Sequence, residues 1–357
     1  MKTYKNIYPR IYQYSNLYEA WRKAARGKRR VPEVADFEFF LLENLLQLEE
    51  ELQTEQYRPG GYRHFYINVP KHRRISAAPF KDRVVHHALV QQIGPIFEAR
   101  FIHRSYACRL GKGTHTAIDQ CQQFSRRYRY ILQCDIEQFF PAIDHAILKR
   151  ILFKHIADEK TRRLISLIID SGVGVLRAEY DIKFFPGDDL LAADRPRGLP
   201  IGNLTSQFWA NCYLNELDQF VKRTLKCRAY LRYVDDFLLF SDSKKELWCW
   251  KKAITGFLPD LRLTLHRRSS TVYPVNNGIP FLGFVIYPTH RLLKRRNGIA
   301  FSRRFQRQLG QLARGEISVE TMKASVNGWL AHVAHGDTWG LRRALVTSQI
   351  IPPGECL

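Results

Sequence analysis

The seven cysteines (108, 121, 134, 212, 227, 249 and 356) include no Cys-x-x-Cys pair. Their spacing gives neither a zinc framework nor a disulfide scaffold, and it fits a reducing compartment. No apolar run reaches the roughly 18 residues of a membrane span, and no secretory signal pattern is present. A cytoplasmic location without membrane contact is therefore expected. The absence of internal repeats and low-complexity linkers argues against solenoids and tethered arrays. Acidic residues are scarce: 34 Asp and Glu face 56 Lys and Arg, a formal net charge of +22. A folded chain with that imbalance favours a polyanionic partner, nucleic acid first among them. A merely basic, ribosome-associated surface is the alternative. At 357 residues, 45% of them hydrophobic, the chain can build a sizeable core and two or three domain-sized units.

Residues 1–32 are basic and aromatic, with Arg22, Lys23, Arg26, Lys28, Arg29 and Arg30. They read either as an RNA-contacting arm or as a solvated face. In 33–55 the sign changes. Val34, Phe37, Leu41, Leu45, Leu48 and Leu52 recur every three or four residues, which predicts one amphipathic helix. Its polar face holds Glu38, Glu43, Glu49, Glu50 and Glu51 and would repel nucleic acid, so it suits the fold's exterior or a basic partner. Further helices are predicted at about 84–93, 144–155, 160–171, 205–225 and 244–257. Another follows the Gly-broken loop 105–117 and runs to about Tyr128. Strands are predicted at 130–134, on both sides of residues 233–236, twice within 174–196, and within 261–285. From Arg291 the chain is basic and helical to about Val346.

The chemistry is concentrated at Tyr233-Val234-Asp235-Asp236, set between the apolar runs 229–232 and 237–240. Adjacent carboxylates between strands are unfavourable unless a cation offsets them, although Asp is also common at hairpin tips. Asp135 lies one hundred residues upstream, at the end of the buried-strand sequence Tyr130–Cys134. Acids delivered by separate strands to one point suit hard divalent cations that clamp the attacking and leaving oxygens of phosphoryl transfer.

The strand-ending Asp135 followed by Phe140, together with the Tyr-x-Asp-Asp hairpin, resembles the catalytic motifs of reverse transcriptases. Ordered matches run from about residue 62 to 335. Residues 71–83, containing Arg74-Ile75-Ser76-Ala77-Ala78-Pro79, resemble the family's fingers motif, and Phe281-Leu282-Gly283-Phe284 resembles its primer-side motif. The resemblance implies an α+β right-hand polymerase with an antiparallel palm sheet and a helical thumb. It divides the chain into an N-terminal segment (1–60), fingers and palm (61–285) and a basic helical thumb with tail (286–357). Asp135, Asp235 and Asp236 would hold two Mg²⁺ ions, with Mn²⁺ as an alternative and the Ile136 carbonyl as a further ligand. Arg74, with Lys71 and Arg83, would meet the triphosphate, because arginine grips phosphate oxygens bidentately. Phe140 would act as the steric gate against a ribose 2′-OH. Arg295, Arg296, Arg303 and Arg304 would hold the template–primer duplex through its backbone.

At Ile201-Gly202-Asn203-Leu204-Thr205-Ser206-Gln207 the chain departs from the common Gln-Gly-x-x-x-Ser-Pro pattern. Ile201 replaces Gln, and Gln207 replaces Pro. With Arg197-Gly198-Leu199-Pro200 and the Cys108–His115 loop, this resembles reverse transcriptases of bacterial and phage diversity-generating retroelements. That resemblance implies dNTP contacts from Ile201 and Gly202, and a fidelity role for Ile201 and Gln207. It also implies copying of a template-repeat RNA into cDNA with errors at adenines, and a small basic pentameric accessory variability protein as partner. Group II intron-encoded enzymes usually continue past the thumb into a maturase domain, whereas this chain ends at Leu357. A retron- or defence-type enzyme without programmed mutagenesis, and a catalytically idle RNA-binding protein on the same fold, are the alternatives.

Overall fold

The computed structural model describes residues 2–67 and 73–347. Lys71 lies outside the described residues. The chain divides into two compact units: Met1–Cys108 with Cys134–Phe237 and Cys249–Ser270, and Arg109–Gln133 with Leu238–Trp248 and Thr271–Leu357.

The chain opens with helices α1 (Tyr8–Tyr12), α2 (Tyr14–Ala25), α3 (Pro32–Phe39) and α4 (Leu41–Gln53). Strands β1 (Arg63–Ile67) and β2 (Arg73–Ala77) pair antiparallel, with Phe65 opposite Ile75. The long helix α5 (Phe80–Glu98) packs against α2, and α6 (Thr114–Arg127) leads into β3 (Tyr130–Cys134). Next come α7 (Phe139–Ala142), α8 (His145–Phe153), α9 (Glu159–Asp170) and α10 (Leu204–Gln219), the last running on through one π-helical turn at Phe220–Thr224. Strands β4 (Tyr230–Tyr233) and β5 (Asp236–Ser241) flank the acidic pair and precede α11 (Lys244–Phe257). Then β6 (Thr271–Pro274), β7 (Ile279–Phe281), β8 (Phe284–Ile286) and β9 (Arg291–Leu293) lead to α12 (Arg295–Ala313), α13 (Val319–Val333) and α14 (Trp339–Thr347). The main sheet has the order β4-β5-β3-β6, and β7-β8-β9 form a separate antiparallel meander.

In the first unit α2, α3 and α10 pack around α5. Residues 8–25 are helical, and α2 buries Leu17, Ala20, Trp21, Ala24 and Ala25. Asp158, at the start of α9, accepts hydrogen bonds from the Ile7 and Tyr8 amides at 2.6 and 2.8 Å. It thereby satisfies amides that open α1 and ties that helix down. In the second unit α12 packs on α13, with the Phe301 and Trp329 rings stacked at 3.9 Å and Val333 fully buried.

Three local expectations change. The single helix over 33–55 is two helices, broken at Phe40 (φ −106°, ψ 43°). The break turns Phe39, Phe40, Leu42 and Leu46 outward while Leu45, Leu48 and Leu52 stay buried. Within 174–196 there are two 3-10 turns, Arg177–Glu179 and Leu190–Asp194, instead of strands. Side chains compete with strand pairing there. Asp189 caps the Ala192 amide at 3.1 Å, and Asp188 grips Arg262 through two bonds at 2.6 and 2.7 Å. The Arg262 and Phe185 donors hold the Asp188 carboxyl down at about 2. Finally, the helix expected over 84–93 extends across Phe80–Glu98. No helix among the described residues is long and apolar enough to cross a membrane.

Candidate active site

All residues of the acidic site and its surrounding loops belong to the first unit. Asp135 follows β3, and Asp236 opens β5, the neighbouring strand. The backbone around Asp135 is fixed from one side. The His266 amide donates to the Asp135 carbonyl at 2.8 Å, the Glu137 amide donates to the Thr264 carbonyl at 2.9 Å, and Ile136 forms a bridge with Leu265. Asp135, Asp235 and Asp236 are all half-buried, whereas Ile136 is buried.

The two residues between β4 and β5 are Val234 and Asp235. Val234 has φ +56°, in a position that hairpins normally give to Gly. For a β-branched residue this is a real outlier, of the kind that persists only when surroundings over-determine it. The surroundings are visible. Arg232, wholly buried in β4, donates from Nη1 to the Val234 carbonyl at 2.9 Å. Its Nε and Nη2 grip both oxygens of the buried Asp218 at 2.8 and 2.7 Å. The Tyr230 hydroxyl also donates to Asp218 at 2.7 Å, and the Asn211 Oδ1 accepts from Arg232 at 3.2 Å. Burial favours the uncharged form of Arg232, but the adjoining Asp218 outweighs it and raises the guanidinium's pKa. The Arg232 backbone is bound on both sides, its amide to the Arg104 carbonyl and its carbonyl to the Tyr106 amide, each at 3.0 Å. This framework holds the hairpin that carries Asp235. A charge in an otherwise apolar strand was its sequence signal, and neither Arg232 nor Asp218 stood out as a site residue in the sequence.

The 198–203 loop is stitched to two other parts of the same unit. The Leu199 amide donates to the Phe140 carbonyl at 3.0 Å, and the Ser76 amide donates to the Ile201 carbonyl at 2.8 Å. Asn203, buried at the head of α10, completes the join. Its Oδ1 accepts from the Ala78 amide at 3.0 Å, and its Nδ2 donates to the Ser76 and Pro200 carbonyls at 2.9 and 3.1 Å. Phe140, Ile201 and the end of β2 are thus linked through the backbone. Asn203 was visible in the sequence only as a loop residue. Gly202 has φ +117°, and a Cβ there would lie 2.7 Å from the Ile75 Cγ2. Gly202→Ala is expected to cost at least about 1–3 kcal/mol through strain and overpacking, read as a lower denaturation midpoint.

Other predicted residues are placed without being gathered. Arg74 is half-buried and donates to the Val175 carbonyl at 3.2 Å, and Arg83 donates from Nε to the Ala78 carbonyl at 2.8 Å. Gln207 is exposed on α10. In the second unit, Arg295, Arg296, Arg303 and Arg304 are exposed along α12. Leu282 and Gly283, both at positive φ, form the turn between β7 and β8. Among the described residues no group of three or more His, Cys, Asp or Glu side chains is arranged as a metal site. The donor chemistry of the three aspartates nevertheless fits a hard divalent cation, for which carboxylate oxygens are the preferred ligands.

The reverse transcriptase (RNA-dependent DNA polymerase) family profile matches residues 68–286, more than half of the chain. The protein belongs to that family and is an RNA-directed DNA polymerase with a mixed α+β fold, of a family that generally uses divalent metals. Protein YkfC of Escherichia coli K12 is 26% identical over 295 residues, covering 70% of this chain and 71% of that protein. The group II intron-encoded protein LtrA of Lactococcus lactis subsp. cremoris is 28% identical over 218 residues, covering 60% of this chain but 34% of its own length. Among solved structures, apo telomerase of Candida tropicalis aligns with TM-score 0.45 and 12% identity over 71% of this chain and 60% of that one.

Proposed function

We propose that this reverse transcriptase copies a template-repeat RNA into cDNA with errors concentrated at template adenines, for mutagenic retrohoming. The observation that carries the reading is the loop at 201–207, where Ile201 and Gln207 stand in place of Gln and Pro. Residues 61–285 serve as fingers and palm, and 286–357 as thumb and tail. Asp135, Asp235 and Asp236, with the Ile136 carbonyl, would hold two Mg²⁺ ions, which when bound stabilise charge on the attacking and leaving oxygens. Arg74, Lys71 and Arg83 meet the incoming triphosphate, and Phe140 excludes the ribose 2′-OH. The primer 3′-OH gives up its proton and attacks the α-phosphate in line as the bond to the β-phosphate breaks and pyrophosphate leaves, and positioning and electrostatics supply most of the rate. Arg295, Arg296, Arg303 and Arg304 hold the duplex by its phosphates. The acidic face of α4 contacts a small basic pentameric accessory protein, and the setting is the bacterial cytoplasm.

Ile201 offers a physical route to infidelity. A Gln amide beside the incoming sugar supports its placement, and losing such a hydrogen bond is worth on the order of 1 kcal/mol. Since about 1.4 kcal/mol is tenfold in rate, correct and incorrect insertions then differ less. Ile201→Gln is expected to lower the error frequency at adenines several-fold while cDNA synthesis continues.

The test is cDNA synthesis on a primed RNA template with the four dNTPs and Mg²⁺, followed by deep sequencing. Errors concentrated at template adenines support the reading. An even, low error rate, persisting with the cognate RNA and accessory protein, moves the enzyme to a retron or defence role. No product under those fuller conditions favours an idle RNA-binder.

A further inference from the structure

The second unit contains an open groove of ≈ 1000 Å³ to which the sequence motifs assign no role. Its lining includes Arg126, Arg127, Tyr128, Arg129, Tyr130 and Lys244. The cations arrive from three places: the last turn of α6, the link before β3, and the first turn of α11. Arg126, Arg127, Arg129 and Lys244 are all exposed. The single carboxylate on the wall, Asp242, accepts a hydrogen bond from the Arg129 amide at 3.0 Å.

Helix-end electrostatics explain only part of this. Arg126 and Arg127 lie where a helix's negative end favours cations. Lys244 lies where a helix's positive end disfavours them, and Lys245 follows it. Charge placed against the local dipole, beside three arginines, makes a concave field suited to an anion. The walls also present rings. Tyr128 and Tyr130 are both half-buried, and the Lys244 Nζ sits 4.9 Å from the Tyr130 ring centroid. Tyr128 is braced edge-on by Phe124 at 6.3 Å. Several cations spaced along a groove with tyrosine rings between them match a single-stranded nucleic acid: phosphates meet the cations, and a base stacks on Tyr128, the Tyr130 ring already carrying the Lys244 ammonium. An acidic peptide would use the cations but not the stacking face.

We propose that this groove binds a single-stranded segment of RNA through its phosphates and a stacked base. The proposal rests on the chain's membership of an RNA-copying family. It adds an RNA-anchoring surface beyond the acidic site and the basic face of α12.

The experiment uses the full chain and labelled single-stranded RNA of about 16 nucleotides, with affinity measured by fluorescence anisotropy across about 50–200 mM salt. Arg127→Glu with Arg129→Glu is expected to weaken binding at least tenfold. Removing two phosphate contacts should also flatten the log–log salt dependence by about 1.4 for a single strand. Tyr128→Ala is expected to weaken binding about tenfold with the salt slope unchanged, because stacking is not a counter-ion effect. All three side chains lie outside the acidic site, so primer extension on a short primed template should persist, and the melting midpoint reports folding independently. Unchanged affinity and slope in the charge-reversed protein, with primer extension intact, would overturn the groove while leaving the polymerase reading standing. Loss of polyglutamate binding with RNA binding intact would reassign the groove to an acidic protein partner and equally overturn it. A wild-type chain that neither binds RNA nor extends a primer would instead remove the functional reading on which the groove depends.

Discussion

Asp235→Asn is expected to reduce primer extension by at least about 10²–10³-fold, the size of losing one preorganised electrostatic contact at a reacting centre. The substitution preserves shape and the hairpin backbone but removes a negative charge. Asp235 sits beside a strained Val234 whose carbonyl is held by Arg232, so the side chain is displayed from a fixed turn. The hydrogen bonds of the Arg232–Asp218 pair and of the β4 backbone are made by groups other than the Asp235 carboxylate, which acts on Arg232 only as a nearby charge. The melting midpoint and the affinity for primed RNA are therefore expected to change little. Single-turnover extension on a primed template, compared with wild type, makes the measurement. Activity within about threefold of wild type would mean that Asp235 does not act in the chemistry.

Arg232→Met is expected to cost about 3–5 kcal/mol of stability, the typical loss when one member of a buried ion pair is removed. Asp218 would then remain wholly buried with only the Tyr230 hydroxyl as a partner among those now gripping it. The Asn211 Oδ1 and the Val234 carbonyl would also lose their donor. Adding Asp218→Asn should recover a substantial part of the loss, because an unpaired buried charge is the main cost. Urea denaturation of the two single variants and the double variant forms the cycle. Purely additive losses would show that the pair is not coupled. The double variant still lacks the donor to Val234, so its hairpin is expected to stay less ordered than its restored stability alone suggests.

Much of the linear order was legible. Apolar runs marked β3 and the strands flanking Val234–Asp235, and the helices expected at about 144–155, 160–171, 205–225 and 244–257 lie close to α8, α9, α10 and α11. Where the reading failed, the cause was local. One apolar stripe over 33–55 could not show the break at Phe40: Val34, Phe37, Leu45, Leu48 and Leu52 are buried on both sides of it, so the spacing marks the buried face but not the interruption. In 174–196, Asp188 and Asp189 bond to a distant guanidinium and to a local amide, contacts that carry no periodicity.

By itself the sequence determined the membership in the reverse transcriptase family and the positions of most elements, and it singled out Asp135, Asp235 and Asp236 as the candidate acids. These rest on residue type, spacing and short-range pattern. Only the tertiary structure showed that Arg232 binds Asp218 and the turn carbonyl, that Asn203 joins the Gly-containing loop to β2, and that cations from α6 and α11 line one groove. Such partners are far apart in sequence, and a hydrogen bond depends on distance and direction in space, which a linear pattern does not encode.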